Sequence, residues 1–196
     1  PGGDKQELSV TKLQLLLRAP ARHSAAAFGD EVLALGSALV ADGPAALKVT
    51  FTDRDPPRLS MVPYRRDRIA VLSVWDEGPP TEAAARWLNR VAARGGVVAA
   101  AYHVDEALPA VFAPDAPSGQ PTPGLGQLTL LRRRRGLSDA ELRRRWFEGH
   151  TPLALGLHPI RGYVRGQVLA PITAGAPALD GIVELWFHPA ADLLRP

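Results

Sequence analysis

The chain has 196 residues, with 23 Lys and Arg against 20 Asp and Glu, and it contains no cysteine. That length can bury a full core as one compact domain or as two small ones. The missing thiols exclude disulfides, a cysteine nucleophile and thiolate metal ligation, and they suit a reducing, cytoplasmic compartment.

No window approaches the roughly 18 uninterrupted apolar residues of a membrane span, and Pro1 to Lys5 read as a trimmed terminus without an export signal. Membrane association is therefore not expected. The positive balance rests on arginine, with Lys5, Lys12 and Lys48 the only lysines. One dense cluster, Arg132 to Arg135 with Arg143, Arg144 and Arg145, could attract phosphate. It lacks interleaved aromatics and any nucleic-acid motif, so nucleic acid is not an expected partner.

In chain order, Leu13 to Leu17 read as a buried strand ended by Arg18-Ala19-Pro20. Ser24 is a natural N-cap for a helix carrying Phe28, Val32, Leu35 and Leu39 and stopping at Asp42-Gly43-Pro44. Ala46 to Phe51 and Ile69 to Trp75 are rich in β-branched and aromatic residues and read as strands. Thr81 can cap a second helix with Ala84, Trp87, Leu88 and Val91 on one face, closed by Arg94-Gly95-Gly96, and Val97 to Val104 supplies a last strand. This is a βαββαβ order, in which right-handed crossovers put both helices on one sheet face.

The Pro- and Gly-rich stretch from Ala113 to Gly126 breaks the pattern and reads as linker. After it the order restarts: Leu128 to Leu131 as strand, a helix from Ser138, then Tyr163 to Leu169 and Ile182 to Phe187 as strands. Pro189 to Leu194 resembles the start of another helix, and the second copy lacks about a helix and a strand relative to the first. The expected fold class is α+β: tandem ferredoxin-like halves packed sheet to sheet as a pseudo-symmetric dimeric α/β barrel. The expected boundaries are 12–106 for the diverged first half, 107–126 for the linker and 127–196 for the second half.

Ser138-Asp139-Ala140-Glu141 is a capping box, with Glu141 reaching back to the cap. From that start Leu142, Trp146, Gly149 and His150 share one helical face, which places His150 on the inward, apolar stripe; Arg144 can pair with Glu148. A period of two puts Tyr163, Arg165 and Gln167 on one strand face, and groups Ile182, Glu184, Trp186 and His188 on another. If these faces meet the helix stripe, they form a cleft suited to a small organic ligand. The same polar residues would equally serve as cross-strand pairs lining a wet interior. In the first copy Gly36 falls opposite His150 and Ser73 opposite Glu184, so chemistry is expected in the second copy.

The second half resembles the EthD family. The resemblance is carried by Leu130-Leu131-Arg132 through Gly136-Leu137-Ser138, by Trp146-Phe147-Glu148-Gly149-His150-Thr151-Pro152-Leu153, by Tyr163-Val164, and by Asp180-Gly181-Ile182-Val183-Glu184-Leu185-Trp186-Phe187. It covers roughly Gln127 to Leu194. It implies the dimeric α/β-barrel superfamily, whose members include cofactor-independent monooxygenases, isomerases, cyclases and decarboxylases of secondary metabolism, alongside members with no assigned reaction. The family's histidine maps onto His150 and its acidic strand residue onto Glu184.

The expected activity is cofactor-free acid/base chemistry on a small hydrophobic, aromatic or polyketide-like carbonyl compound: cyclisation, isomerisation, dehydration or oxygenation. In this reading His150 and Glu184 are catalytic, and Trp146, Tyr163, Arg165, Gln167 and Trp186 bind substrate. The alternative is a non-catalytic small-molecule-binding or assembly protein of the same fold. No metal is expected, since His23, His103, His150, His158 and His188 lack ligand spacing. No nucleotide cofactor is expected either, since Gly124-Leu125-Gly126 precedes a strand instead of following one. The expected partners are a small-molecule ligand and, through the superfamily's habit, a second copy in a homodimer.

Overall fold

A computed structural model describes residues 10–19, 23–53, 68–114 and 116–187. The expected helix at Pro189 to Leu194 lies outside the described residues, as does His188. The chain is mixed α/β and divides into two compact units, residues 1–104 with 169–177 and residues 105–168 with 178–196.

In the first unit the elements are β1 (Val10–Ala19), α1 (Ala25–Val40), β2 (Ala46–Phe51), β3 (Arg68–Glu77), α2 (Pro80–Ala93) and the start of β4 (Val98–Ala110). The strands lie in the order β2-β3-β1-β4. β1 is antiparallel to both β3 and β4, and β2 is antiparallel to β3. A βαββαβ chain in this strand order is the ferredoxin-like arrangement. Ser24 caps α1 by accepting from the Ala27 amide at 3.0 Å. Helix α2 starts one residue before the expected Thr81 cap, with Pro79 as N-cap and Pro80 in the first turn. A proline there gives up only an amide that has no helical partner and presets the helical φ. Gly95 closes the helix at φ 78°, and the Gly96 amide donates back to the Val91 carbonyl at 2.9 Å.

Phe28, Val32 and Leu39 of α1 and Trp87 and Val91 of α2 pack on Leu13, Leu15, Leu17, Leu72 and Val74 of the sheet. β1 is buried from Thr11 to Leu17, so both its faces are covered. The face away from the helices carries polar groups in direct cross-strand register. Lys12 lies opposite Trp75 with its Nζ 4.5 Å from the indole ring, and Gln14 Nε2 donates to Ser73 Oγ at 3.3 Å.

Asp76, at the end of β3 and 7% exposed, ties the sheet to α2. It accepts from the Trp87 indole and from Arg86, whose Nη2 lies at 2.8 Å. Burial opposes its ionisation, but the hydrogen bonds from Arg86 and Trp87, with the charges of Arg86 and Arg90, outweigh that and hold the carboxyl below its ordinary value.

The second unit contains the end of β4, then β5 (Leu125–Leu131), α3 (Asp139–Arg143), a π-helical turn (Arg144–His150), α4 (Thr151–Leu157), β6 (Ile160–Pro171) and β7 (Gly181–Phe187). β7 pairs antiparallel with both β5 and β6. The order β5-β7-β6 repeats the order β1-β3-β2 of the first unit. The expected linker is shorter at both ends, because β4 continues to Ala110 and β5 begins at Leu125. A strand can run through Gly126 because the Trp186 ring occupies the space a Cβ would take.

Residues 169–177 belong to the first unit, where the Ile172 amide donates to the Ala101 carbonyl at 2.8 Å and the Tyr102 hydroxyl donates to the Pro177 carbonyl at 2.9 Å. Among the described residues no helix is long and apolar enough to cross a membrane.

Asp76→Ala is expected to destabilise the protein by about 1–3 kcal/mol at neutral pH, since the buried Trp87 N–H loses its acceptor. The wild-type contribution is present above the ordinary carboxylate pKa and is lost as pH falls through the depressed native value. Urea unfolding at stepped pH should therefore show the gap between variant and wild type narrowing on acidification.

Candidate functional site

The seam between helix and sheet in the second unit starts at Ser138, whose hydroxyl accepts from the Glu141 amide at 3.2 Å. The Glu141 side chain binds Arg144 at 2.8 and 2.9 Å and Arg145 at 2.5 Å. It does so in place of the expected reach back to the cap, and Arg144 takes Glu141 in place of the expected Glu148. These hydrogen bonds hold the Glu141 carboxyl down at about 2. Arg133 pairs with Asp139 and, at 3.1 Å, with Asp180. Arg133, Arg144 and Arg145 of the arginine cluster are thus paired with the chain's own carboxylates.

Beyond Arg143 the helix widens. The Thr151 amide bonds the Trp146 carbonyl, five residues back, and Thr151 Oγ1 donates to the same carbonyl at 2.8 Å. The cause is next in the chain: Pro152 has no N–H and its ring would collide with the carbonyl four residues earlier, so the backbone absorbs it by a π turn. The extra residue changes the helical phase. Trp146 and Thr151 are buried, 5% exposed each, while Gly149 and His150 are exposed. The expected inward stripe therefore ends on Thr151, and the imidazole of His150 is not part of it.

On the sheet, residues in direct register share a face. Tyr163 is opposite Leu185, Arg165 opposite Val183 and Gln167 opposite Gly181. Tyr163 and Val183 pack with Trp146, with Leu185, Leu131 and Phe147 against them, so this is the helix-covered face. Glu184 and Trp186 lie opposite Val164 and Gly162, on the other face. Trp186 stacks on Phe112 at 5.8 Å and donates to the Pro123 carbonyl at 3.1 Å. The two polar-aromatic groups expected from the sequence to line one cleft are thus separated by the sheet: Trp146, Tyr163, Arg165 and Gln167 come together, while Glu184 and Trp186 do not join them.

Two glycines make room for aromatic side chains on the two sheet faces. A Cβ on Gly181 would collide with the Trp146 ring, and one on Gly162 would meet Phe112 at 2.5 Å and Trp186 at 3.4 Å.

The buried hydroxyls are directional. Trp146 Nε1 donates to Tyr163 OH at 3.3 Å, and Tyr163 OH lies 3.4 Å from Thr151 Oγ1. Since the threonine proton goes to the Trp146 carbonyl, the tyrosine must be the donor to Thr151. Arg165 Nη1 also donates to Thr151 Oγ1, at 3.4 Å, and its guanidinium lies 3.6 Å over the Phe147 ring. Arg143 approaches the same ring at 5.0 Å and donates to Gln167 Oε1 at 2.5 Å.

Thr151, Phe147 and Arg143 are members of this site that sequence periodicity passes over. The signal for Thr151 is Pro152, which makes an uninterrupted α-helical phase untenable. Among the described residues no three His, Cys, Asp or Glu side chains cluster as a metal-ligand set.

The fold class is therefore a ferredoxin-like α/β protein with a polar seam between helix and sheet in its C-terminal unit. Residues 134–195 match the EthD domain, the family whose motifs the C-terminal half resembles. No curated protein and no solved structure matches the chain.

Thr151→Val keeps the β-branched shape and removes the hydroxyl. It is expected to cost about 1–2 kcal/mol in chemical denaturation, because Tyr163 OH loses its acceptor. Tyr163→Phe added to it should cost less than Tyr163→Phe alone, which a double-mutant cycle reads directly.

Proposed function

We propose that the C-terminal unit binds a small hydrophobic, aromatic or polyketide-like carbonyl compound at the helix–sheet seam and moves protons on it without a cofactor. The observation that carries this reading is the Trp146–Thr151–Tyr163–Arg165 network at a π turn inside the EthD match. Single π turns inside helices occur frequently at functional sites. Trp146 and Tyr163 supply the aromatic wall, and Arg165 and Gln167 supply N–H donors for an oxygen on which negative charge develops as an enolate forms.

His150, exposed at the end of the π turn, is the group that exchanges the proton, since imidazole does so near neutral pH. Glu184, on the other sheet face, has no contact with the carbonyl in this proposal. The same reading takes the units as tandem ferredoxin-like halves, supported by the repeated strand orders β1-β3-β2 and β5-β7-β6.

A binding protein without catalysis is the second reading, and the exposure of His150 favours it.

α-Proton exchange of the aromatic ketone α-tetralone in D₂O, followed by NMR, separates the two. The catalytic reading expects acceleration by the wild type and a loss of about 10²-fold or more in His150→Ala. Because His150 is exposed, stability should change by no more than about 0.5 kcal/mol. Equal exchange in wild type and variant, with α-tetralone still bound, would sink the catalytic role and leave the binding one.

A further inference from the structure

Arginines of the second unit differ in their partners. Arg133, Arg144 and Arg145 each have a carboxylate of the chain within ion-pair range. Arg143 and Arg165 do not: among the described residues, their polar partners are Gln167 Oε1 and Thr151 Oγ1, and both guanidinium groups lie over one ring, that of Phe147. Two like charges held on one aromatic ring repel each other. Arg165 bears the cost of burial as well: burial above all lowers its basicity and the charge of Arg143 acts the same way, against the opposing pull of Tyr163 and of the Asp105 carboxylate.

Each guanidinium has five N–H donors, and the side-chain hydrogen bonds above use one on each. The remaining donors belong to two planar forks that share one aromatic ring. The Gln167 amide accepts from Arg143 through its oxygen, which leaves its NH₂ free to donate. A planar anion carried on an aromatic ring would meet all of these features: it neutralises both charges, accepts from the forks, and lies beside Phe147 and Trp146.

We propose that the ligand of this seam is an aromatic carboxylate, or an aromatic ketone held as its enolate, whose anionic oxygens are clamped by Arg143 and Arg165. This rests on the small-molecule reading above and names the chemical class that the site selects. Arg143 and Arg165 act as specificity-determining residues in it, with Gln167 orienting Arg143.

The test compares 1-naphthoate with its neutral isostere 1-naphthamide by calorimetric titration of the wild type, Arg143→Met and Arg165→Met. Methionine keeps length and apolar packing while removing the charge. The wild type should bind naphthoate at least ten-fold more tightly than naphthamide. Each variant should lose more naphthoate affinity than naphthamide affinity, bringing the ratio between the two compounds to about one, which a purely structural arginine would not do.

Equal wild-type affinity for the two compounds overturns the anion clamp and leaves the small-molecule reading standing. So does naphthoate affinity unchanged in both variants. Absence of binding by either compound also overturns the clamp, and α-tetralone exchange then decides the small-molecule reading independently. Naphthoate selectivity in a protein that does not accelerate that exchange supports the clamp and removes only the catalytic role.

Discussion

Pro152 imposes the constraint on which the arrangement of the second unit depends. A helix that continues through an internal proline must lose a hydrogen bond and relieve a clash with the preceding turn. Here it does so by widening into a π turn between Arg144 and His150. The widening rotates everything after it by one residue, so Thr151 and not His150 follows Trp146 onto the sheet. Thr151 closes the defect as well as resulting from it, since its amide and its hydroxyl both bond the Trp146 carbonyl. The hydroxyl then accepts from Tyr163 and Arg165, and a backbone irregularity becomes the centre of a polar network.

Glycine placement complements that helix. Glycine at position 181 lets the Trp146 indole rest on β7, Gly126 does the same for the Trp186 ring on the opposite face, and Gly162 makes room for Phe112. Each indole is bonded through its nitrogen, Trp146 to Tyr163 and Trp186 to the Pro123 carbonyl. The two tryptophans of the EthD-like motifs therefore serve different faces of one sheet. In the first unit the corresponding anchoring is done by Trp87, bonded to Asp76 across the helix–sheet interface.

Charge is distributed with the same economy. Glu141 and Asp180 pair with the arginines of the outer helix face and the β5 end. The arginines left on Phe147 face the seam with donors to spare. Within the basic cluster Arg133, Arg144 and Arg145 pair with the chain's own carboxylates, while Arg143 joins Arg165 at the Phe147 ring.

The local physics of the residues determined much of this. Alternating apolar runs, Ser24 and Ser138 caps, and the Gly95 stop are short-range signals, and they sufficed for the order of elements and for the βαββαβ pattern of the first unit. A period of two likewise grouped Tyr163 with Arg165 and Gln167, and Glu184 with Trp186, because strand geometry alone sets those faces. Which of the two faces the helix covers was decided by register: Tyr163 opposite Leu185 puts the first group under Trp146 and the second group away from it. Register depends on pairing between strands distant in sequence. The helical phase at His150 was likewise decided in three dimensions, because a proline can be accommodated by a kink, a break or a π turn. Burial of Thr151 between Trp146 and Tyr163 selects the last of these.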